Sequence, residues 1–267
     1  MILQFPRALW RQRELWWNLT ERQILGRYRG SLLGVAWSFL NPLAMLVVYT
    51  FVFSQVFKAR WGTLGHAGSI GFAVNLFAGL IVFNLISECV GAAPGLIVAN
   101  PNYVKKVIFP LELMAFVTVA SATFHAAASL IVLILFQVIA FHAVPWTFIL
   151  LPVVWLPLFL GCLAATWILS GLGVFLRDIS QFITVALSML MFLSPVFYPL
   201  SALPKRFQPL LNLSPLTQVI EQTRGVLVDG KPPSAAYLIV GTLLTLVIAE
   251  LAFRAFMRGK RAFADVI

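Results

Sequence analysis

The chain has 267 residues, of which 61% are hydrophobic and only 10% are charged, and its formal net charge is +10. Several apolar stretches exceed the ~20 residues that an α-helix needs to cross a bilayer, so the composition excludes a water-soluble domain and predicts an all-α integral membrane protein. In such a chain the positive charge marks segments on the cytoplasmic side, and it does not point to a nucleic-acid partner.

The first predicted element is an amphipathic helix within residues 1–34, ahead of the first membrane span. Trp10, Trp17 and Ile24 recur at heptad spacing, with polar residues between them. Tryptophan prefers the depth of the lipid headgroups, so the pattern favours a helix that lies in the interface plane. A disordered basic tail with membrane-seeking tryptophans is the alternative.

The junction with the first span is rich in glycine. Gly26, Gly30 and Gly34 follow one another four residues apart, which on a helix places them near one face. Glycine costs about 1 kcal/mol relative to alanine in a helix, so three of them suggest a packing reason. We therefore predict a close-packed elbow between the interface helix and the first span, with a flexible hinge as the alternative.

Six membrane spans are predicted within residues 35–267. They cover about 35–57, 71–99, 113–141, 147–174, 181–199 and 235–257. If both termini are cytoplasmic, the inside segments carry roughly twice as many Lys and Arg residues as the outside segments, where Arg224 is counted. An even number of spans agrees with this orientation.

Two connections between the spans have features of their own. Residues 100–110, "NPNYVKKVIFP", predict a short cytoplasmic helix that begins at a proline and ends before the next one. Residues 199–234 are too apolar for an aqueous loop and too often broken by proline for a span. We predict re-entrant or interfacial helices at the outer face, where protein or water must satisfy the backbone.

Ionisable side chains inside the predicted spans are few. Glu88 is the only acidic residue well inside a span, and Glu250 is followed one turn later by Arg254, with which it can pair. His125 is expected to hydrogen-bond between helices, and the three histidines show no metal-binding spacing. The sequence has no GxxxxGK[ST] phosphate loop, so it offers no recognisable site of its own for ATP hydrolysis.

Aromatic residues cluster near the outer end of the fifth predicted span. Phe192, Phe197 and Tyr198 lie there, and aromatic rings can hold sugars against their apolar C–H faces. Lipid-facing bulk explains most aromatic residues of a membrane protein, so glycan contact is the narrower of two interpretations.

Four stretches together resemble one protein family. They are "ERQILGRYRGSLLGVAWSFLNPL", "NPNYVKKVIFPLELM", "FLRDI" and "LSPLTQVIEQTRGVLVDGKPP". Over nearly its whole length the chain resembles the ABC-2 type permeases that export cell-surface polysaccharides, above all the Wzm-like membrane subunits of O-antigen exporters. One departure is Ser214-Pro215, where many relatives have Asn-Pro.

The resemblance implies a homodimer in the bacterial inner membrane, bound to a separate ATP-hydrolysing subunit. ATP and Mg²⁺ then belong to that partner, and this chain carries no cofactor and is not itself an enzyme. The substrate is expected to be a polysaccharide on an undecaprenyl pyrophosphate carrier. Residues 100–110 are similar to the family's coupling helix, which contacts the ATPase. The residues expected to make this contact are Asn102, Tyr103, Val104, Lys105 and Lys106.

A basic group before the first span is a candidate site for the lipid pyrophosphate. Arg22, Arg27 and Arg29, with Tyr28 between the last two, lie where the cytoplasmic headgroups are expected. Arginine in this position attracts anionic headgroups. Ordinary anchoring of a cytoplasmic segment is an equally good explanation.

Other functions stay open at this point. The same architecture could export capsule polysaccharide, teichoic acid or a small hydrophobic drug. An ATP-independent lipid scramblase or channel is a different class, and it predicts no obligate ATPase partner. A membrane-embedded glycosyltransferase predicts essential loop carboxylates, for which Glu221 and Asp229 are the candidates.

Overall fold

The computed structural model describes residues 4–56, 68–105 and 109–266, and all regular structure in these ranges is helical. The predicted all-α fold class is therefore confirmed. The helices are α1 (Phe5–Arg11), α2 (Arg13–Arg27), α3 (Trp37–Phe51), α4 (Ser69–Ala92), α5 (Pro101–Lys105), α6 (Leu113–Phe141), α7 (Leu151–Val154), α8 (Leu156–Phe175), α9 (Ile179–Leu193), α10 (Gln208–Asn212), α11 (Pro215–Leu227) and α12 (Thr242–Val266). Short 3-10 or π-helical turns cover Gly34–Ala36, Val52–Val56, Ala93–Gly95, Trp146–Leu150, Leu200–Ala202 and Tyr237–Gly241.

Five helical segments among the described residues are long and apolar enough to cross a membrane. They are Gly34–Phe51, Ile70–Gly95, Leu113–Phe141, Trp146–Phe175 and Tyr237–Phe263. They correspond to the first four predicted spans and the sixth. Where the fifth span was predicted, over 181–199, the structure has the shorter apolar helix α9. Its 15 residues extend about 22 Å, against a hydrocarbon core of ~30 Å.

The centre of the bundle is α4. Every residue from 71 to 83 is buried, and the helix packs against α6, α8 and α11. A helix that is apolar on all sides is expected to be surrounded by protein or lipid, and here protein surrounds it. The central position explains why this stretch of the sequence has no polar face.

The contact between α8 and the turn Ala93–Gly95 requires glycine. A Cβ atom at Gly173 would overlap the carbonyl oxygen of Pro94. Small residues allow two helical backbones to approach each other closely within a membrane. Farther along α8, Trp167 Nε1 donates a hydrogen bond to the Glu112 carbonyl oxygen at 3.1 Å, which joins α8 to the start of α6.

The N-terminal helix α1 is anchored in the bundle by its first residues. Phe5 is buried, and its ring centroid lies 6.5 Å from Phe116 and 5.9 Å from Trp167. The backbone N–H of Gln4 donates to Glu250 Oε2 at 2.9 Å. The start of α1 is therefore held by α6, α8 and α12.

Glu250 is fully buried and has two partners. Arg254 Nε donates to Oε1 of Glu250 at 2.7 Å, which confirms the i, i+4 pair predicted from the sequence. The second partner, the N–H of Gln4, was not expected. A buried carboxylate is tolerated in a membrane helix when such partners satisfy it.

The heptad tryptophans of the N-terminal segment do not pack on the bundle. Trp10 is 73% exposed and Trp17 is 62% exposed, although α2 as a whole packs along α6. Thr20 is the buried residue of α2, and its hydroxyl donates to the Trp16 carbonyl oxygen at 2.8 Å. A location of these tryptophans in the headgroup plane stays a prediction.

The segment between α9 and α12 folds back onto the bundle. Thr147 Oγ1 donates to the Val226 carbonyl oxygen at 2.6 Å, and Gln137 Nε2 donates to that of Leu227 at 3.0 Å. The last carbonyl groups of a helix have no N–H partner within it, and these two side chains supply partners for them in α11. Trp155 Nε1 adds a hydrogen bond to Thr223 Oγ1 at 3.0 Å. A re-entrant position of α10 and α11 relative to the bilayer stays a prediction.

Arg224, counted among the outside charges in the predicted topology, is buried within the bundle. Its side chain is only 3% exposed, and Arg224 Nη1 lies 2.9 Å from Glu221 Oε1. Arg224 shares the buried face of α11 with Leu216 and Ile220. The side of the membrane on which it lies stays a prediction. Glu221 is the partner of this buried cation.

Candidate functional site

A polar cavity of about 520 Å³ lies between α2, α3, α4 and α6. Its polar lining consists of Arg27, Tyr28, Ser38, Asn41, Tyr49, Asn84, Ser87, Glu88, His125 and Ser129. Polar and ionisable groups are costly in a membrane protein, and they mark functional sites when they gather around one space. This cavity is therefore the candidate site.

Helical spacing brings these polar groups to the cavity. On α4, Asn84, Ser87 and Glu88 are three and four residues apart, and on α6 the same applies to His125 and Ser129. Residues at this spacing share one face of a helix. Each helix therefore turns a short polar stripe to the cavity.

Three charged or ionisable side chains meet at Glu88. Arg27 Nη1 donates to Glu88 Oε1 at 2.6 Å, and His125 Nδ1 lies 2.9 Å from Oε1 and 3.1 Å from Oε2 of the same carboxylate. Arg27 Nη1 and His125 Nδ1 are 3.1 Å apart. Since Nδ1 either carries a proton or offers a lone pair, it donates to Glu88 or accepts from Arg27, but not both. The carboxylate is the common partner.

The Arg27–Glu88 pair remains accessible. The Arg27 side chain is 56% exposed and that of Glu88 is 27% exposed, so the pair can be reached from the cavity. The carboxylate joins α2, α4 and α6, and the prediction that His125 hydrogen-bonds between helices is confirmed. His125 Nε2 is buried and has no hydrogen-bond partner among the described residues.

Tyr28 covers the histidine from the side of α2. Its ring meets the His125 ring edge to face, with 6.0 Å between centroids and 78° between planes. Burial raises the pKa of the Tyr28 phenol, while the positive charge of Arg27 acts in the opposite direction. The phenol is therefore a neutral hydroxyl group at physiological pH.

The structure separates the four residues predicted to bind pyrophosphate into two groups. Arg27 and Tyr28 line the cavity, whereas Arg22 and Arg29 are exposed and do not line it. Arg22 lies in α2, more than one turn before Arg27, and Arg29 lies in the turn after α2. Sequence position alone could not distinguish the arginine that turns towards Glu88.

The glycines before the first span have a different role from the one predicted. Gly26 lies within α2, whereas Gly30 and Gly34 have φ values of 84° and 52° outside it. No described heavy atom lies within 4 Å of a Cβ built at any of the three. The prediction of a shared, closely packed helix face is therefore wrong, because Gly30 and Gly34 serve the left-handed backbone of the turn.

The predicted short helix after the second span is α5. Asn102 is exposed, while Tyr103 stacks on Phe109 with 4.2 Å between ring centroids and 8° between planes. α5 also contacts α12. Lys106 and the side chain of Lys105 lie outside the described residues. The role of α5 as a coupling helix stays a prediction.

The three aromatic residues at the end of α9 lie together: Phe192 is in its last turn, and Phe197 and Tyr198 follow it. The rings of Phe192 and Phe197 are stacked at a centroid distance of 5.8 Å and an angle of 24°. The Tyr198 hydroxyl lies 3.2 Å from the carbonyl oxygens of Phe192 and Leu193, so it caps the end of α9. Phe192 is 70% exposed, but contact with a glycan stays a prediction.

Comparison with known proteins gives one family and several relatives. The family model described as ABC-2 type transporter matches residues 14–228. The chain is 26% identical to the O-antigen export system permease protein RfbA of Myxococcus xanthus, over 100% of each chain. It is 21% identical to the protein of the same name from Klebsiella pneumoniae, over 93% of each chain. It is 24% identical to the polysialic acid transport protein KpsM of Escherichia coli, over 87% of this chain and 90% of the relative.

Proposed function

Since this chain belongs to the ABC-2 type transporter family, we propose that it is the membrane permease subunit of a polysaccharide exporter. The full-length similarity to an O-antigen export system permease carries this proposal. The proposed substrate is O-antigen attached to an undecaprenyl pyrophosphate carrier. A capsule polysaccharide is the second candidate, which the similarity to a polysialic acid transport protein supports.

The proposed energy source is ATP hydrolysis in a separate subunit, which would bind ATP and Mg²⁺. We propose that α5, with Asn102, Tyr103 and Val104, contacts this subunit. The position of α5 supports the idea, because the chain enters it from α4 and leaves it towards α6, and the helix also contacts α12. A displacement of α5 would therefore act on three long helices at once.

The proposed topology has six crossings of the bacterial inner membrane and both termini in the cytoplasm. It requires α9 to cross although it is short. A bilayer can become locally thinner around a short apolar helix at a modest energetic cost. The residues 194–199 that follow α9 add length to the crossing. In this topology Arg27 lies at the cytoplasmic headgroups, next to the proposed lipid pyrophosphate.

A polar stripe on α9 supports a homodimer with the polymer path near its interface. Ser180, Thr184 and Ser188 are exposed at intervals of four residues on an otherwise apolar helix. The Thr184 and Ser188 hydroxyls donate to the carbonyl oxygens of Ser180 and Thr184, respectively. Small residues at this spacing on a membrane helix allow a second helix to approach closely.

The test is copurification of the tagged full-length chain from its native membrane in a mild detergent. We expect a stoichiometric ATPase subunit that is lost when Tyr103, Lys105 and Lys106 are replaced by alanine. Replacement of the exposed pair Lys205 and Arg206, which lies between α9 and α10, is the matched control and should keep the complex intact. Recovery of the chain alone, with no ATPase activity, would contradict the proposal and favour a scramblase or channel.

A further inference from the structure

We propose that Glu88 occupies the phosphate-binding position at Arg27, and that a phosphate group of the lipid carrier displaces it when the substrate enters the cavity. The inference rests on the proposed function, because it names the substrate group that this cavity receives. Arg27 is then a binding residue, and Glu88 is the internal anion with which the substrate must compete.

Arg27 can bind a phosphate through more donor groups than it now uses for Glu88. Among the described residues its guanidinium forms contacts through Nη1 alone, to Glu88 and His125. Its side chain is 56% exposed, so the other N–H groups can be reached. A guanidinium has five N–H donors in a planar arrangement that matches the oxygens of a phosphate. The same surface that now binds a carboxylate therefore suits a phosphate.

Glu88 keeps a partner when a phosphate takes its place at Arg27. His125 Nδ1 lies 2.9 Å and 3.1 Å from the two carboxylate oxygens, so the histidine contacts Glu88 independently of the arginine. An unpaired carboxylate inside a membrane helix would be costly. Because His125 holds Glu88, the exchange at Arg27 does not leave this charge without a partner. This second contact distinguishes the cluster from a simple ion pair.

The cavity has room and neutral hydrogen-bond donors for a phosphate that replaces Glu88 at Arg27. Its volume of about 520 Å³ falls within the ~300–1,000 Å³ of small-molecule sites. Asn41, Asn84 and Ser87 line it, and their amide and hydroxyl groups can donate hydrogen bonds to phosphate oxygens. Among the described residues, Arg27 and Glu88 are the only Arg, Lys, Asp or Glu side chains that line this cavity. A phosphate in the cavity therefore has Arg27 as its cation and Glu88 as its competitor.

The test measures binding of undecaprenyl pyrophosphate to the full-length chain in a mild, uncharged detergent, with inorganic pyrophosphate as a second probe. Glu88→Gln removes the competing charge, so the affinity for undecaprenyl pyrophosphate should rise about tenfold. Arg27→Gln should lower this affinity by a similar factor, both alone and combined with Glu88→Gln. The matched control is Glu112→Gln, because Glu112 pairs with Lys260 at 2.7 Å outside the cavity. The affinity of this control variant for undecaprenyl pyrophosphate should equal that of the unmodified chain.

The outcomes separate the source of the phosphate from the exchange itself. A gain limited to undecaprenyl pyrophosphate supports the exchange with a lipid headgroup as the ligand. An equal gain for inorganic pyrophosphate supports the exchange with free phosphate as the ligand. Unchanged or weaker binding by a folded Glu88→Gln chain would overturn the proposal. If that variant does not fold, Glu88→Asp, which shortens the reach to Arg27, should show a smaller gain, and its absence would overturn the proposal equally.

Failure of this inference is distinguishable from failure of the proposed function. If the ATPase subunit copurifies and Glu88→Gln does not tighten binding, only the exchange is wrong. If no ATPase copurifies while the gain in affinity appears, the exporter assignment is wrong and the phosphate site stands.

Discussion

Arg224 is a buried cation whose guanidinium joins three parts of the chain. Its Nε donates to the Asn75 carbonyl oxygen in α4 at 2.9 Å. Its Nη1 and Nη2 donate to the carbonyl oxygens of Pro195 and Val196 at 2.6 Å and 2.8 Å. These two carbonyl groups lie just after α9, so Arg224 fixes the end of α9 against α4 and α11. Such a cation stabilises the fold only while its hydrogen bonds stay intact.

Gly79 provides the space for this guanidinium, and the added methyl group of Gly79→Ala should fill that space. The added Cβ would lie 2.7 Å from Arg224 Nη2, closer than the atoms can approach, and the hydrogen bonds restrict how far the guanidinium can move. We expect a loss of about 1–3 kcal/mol in the free energy of unfolding. The measurement is the thermal unfolding temperature of the purified chain in one detergent, which should fall.

Gly225→Ala in α11 is the control for this substitution. No described heavy atom lies within 4 Å of a Cβ built at Gly225, so its unfolding temperature should stay close to that of the unmodified chain. An unchanged unfolding temperature for Gly79→Ala, or an equal fall for both variants, would contradict the role assigned to Gly79.

For individual residues, the sequence identified the candidates for the site more readily than the contacts between them. Glu88 and His125 stood out because ionisable groups are rare in membrane helices. Their contact with Arg27 could not be predicted, because it depends on the packing of α2, α4 and α6. Arg224 could have been recognised as buried, because it continues the four-residue spacing of Leu216 and Ile220 on α11.

At the scale of the helices, α1 is attached by the residues at its start. The Phe5 ring lies among aromatic rings of α6 and α8, and the Gln4 N–H is bound to Glu250 in α12. The rest of α1 is more exposed, including Trp10. The N-terminal segment is therefore a separately attached element whose release would make its backbone accessible.

Phe5→Ala should loosen α1 without unfolding the bundle. Loss of a buried aromatic side chain costs about 3 kcal/mol or more, here mainly from the attachment of α1. Limited digestion by trypsin should therefore cleave within α1, at Arg7 or Arg11, at least about tenfold faster. Trp10→Ala, on the same helix but 73% exposed, should be cleaved at the original rate. Equal rates for the two variants would show that Phe5 does not hold α1.

At two places the structure differs from what the sequence pattern predicted. The run over 181–199 is apolar, but it contains Ser194-Pro195, and a residue before proline disfavours the helical conformation. The structure ends α9 at Leu193, so the signal was present. The spacing of Gly26, Gly30 and Gly34 suggested a helix face, yet spacing cannot distinguish packing from the need for a positive φ. The other five long helical segments followed directly from their apolar length.

For the molecule as a whole, the position of the polar cavity within the helical bundle matters most. The cavity borders α4, the helix at the centre of the packing, and α6, which is connected to α5. Under the proposed function the ATPase subunit acts on α5, so movement there reaches the two helices that carry Glu88 and His125. Binding of the lipid phosphate and the action of ATP would then meet at the same pair of helices.

Deletion of the gene in the native bacterium tests whether this chain exports a lipid-linked polysaccharide. The measurement is the amount of polysaccharide on the cell surface, together with the amount linked to undecaprenyl pyrophosphate inside the cell. We expect the surface polymer to disappear and the lipid-linked polymer to accumulate. The unmodified chain and Arg22→Glu should restore export, whereas Arg27→Glu should not. Undiminished surface polymer in the deletion strain would show that this chain does not export the polysaccharide.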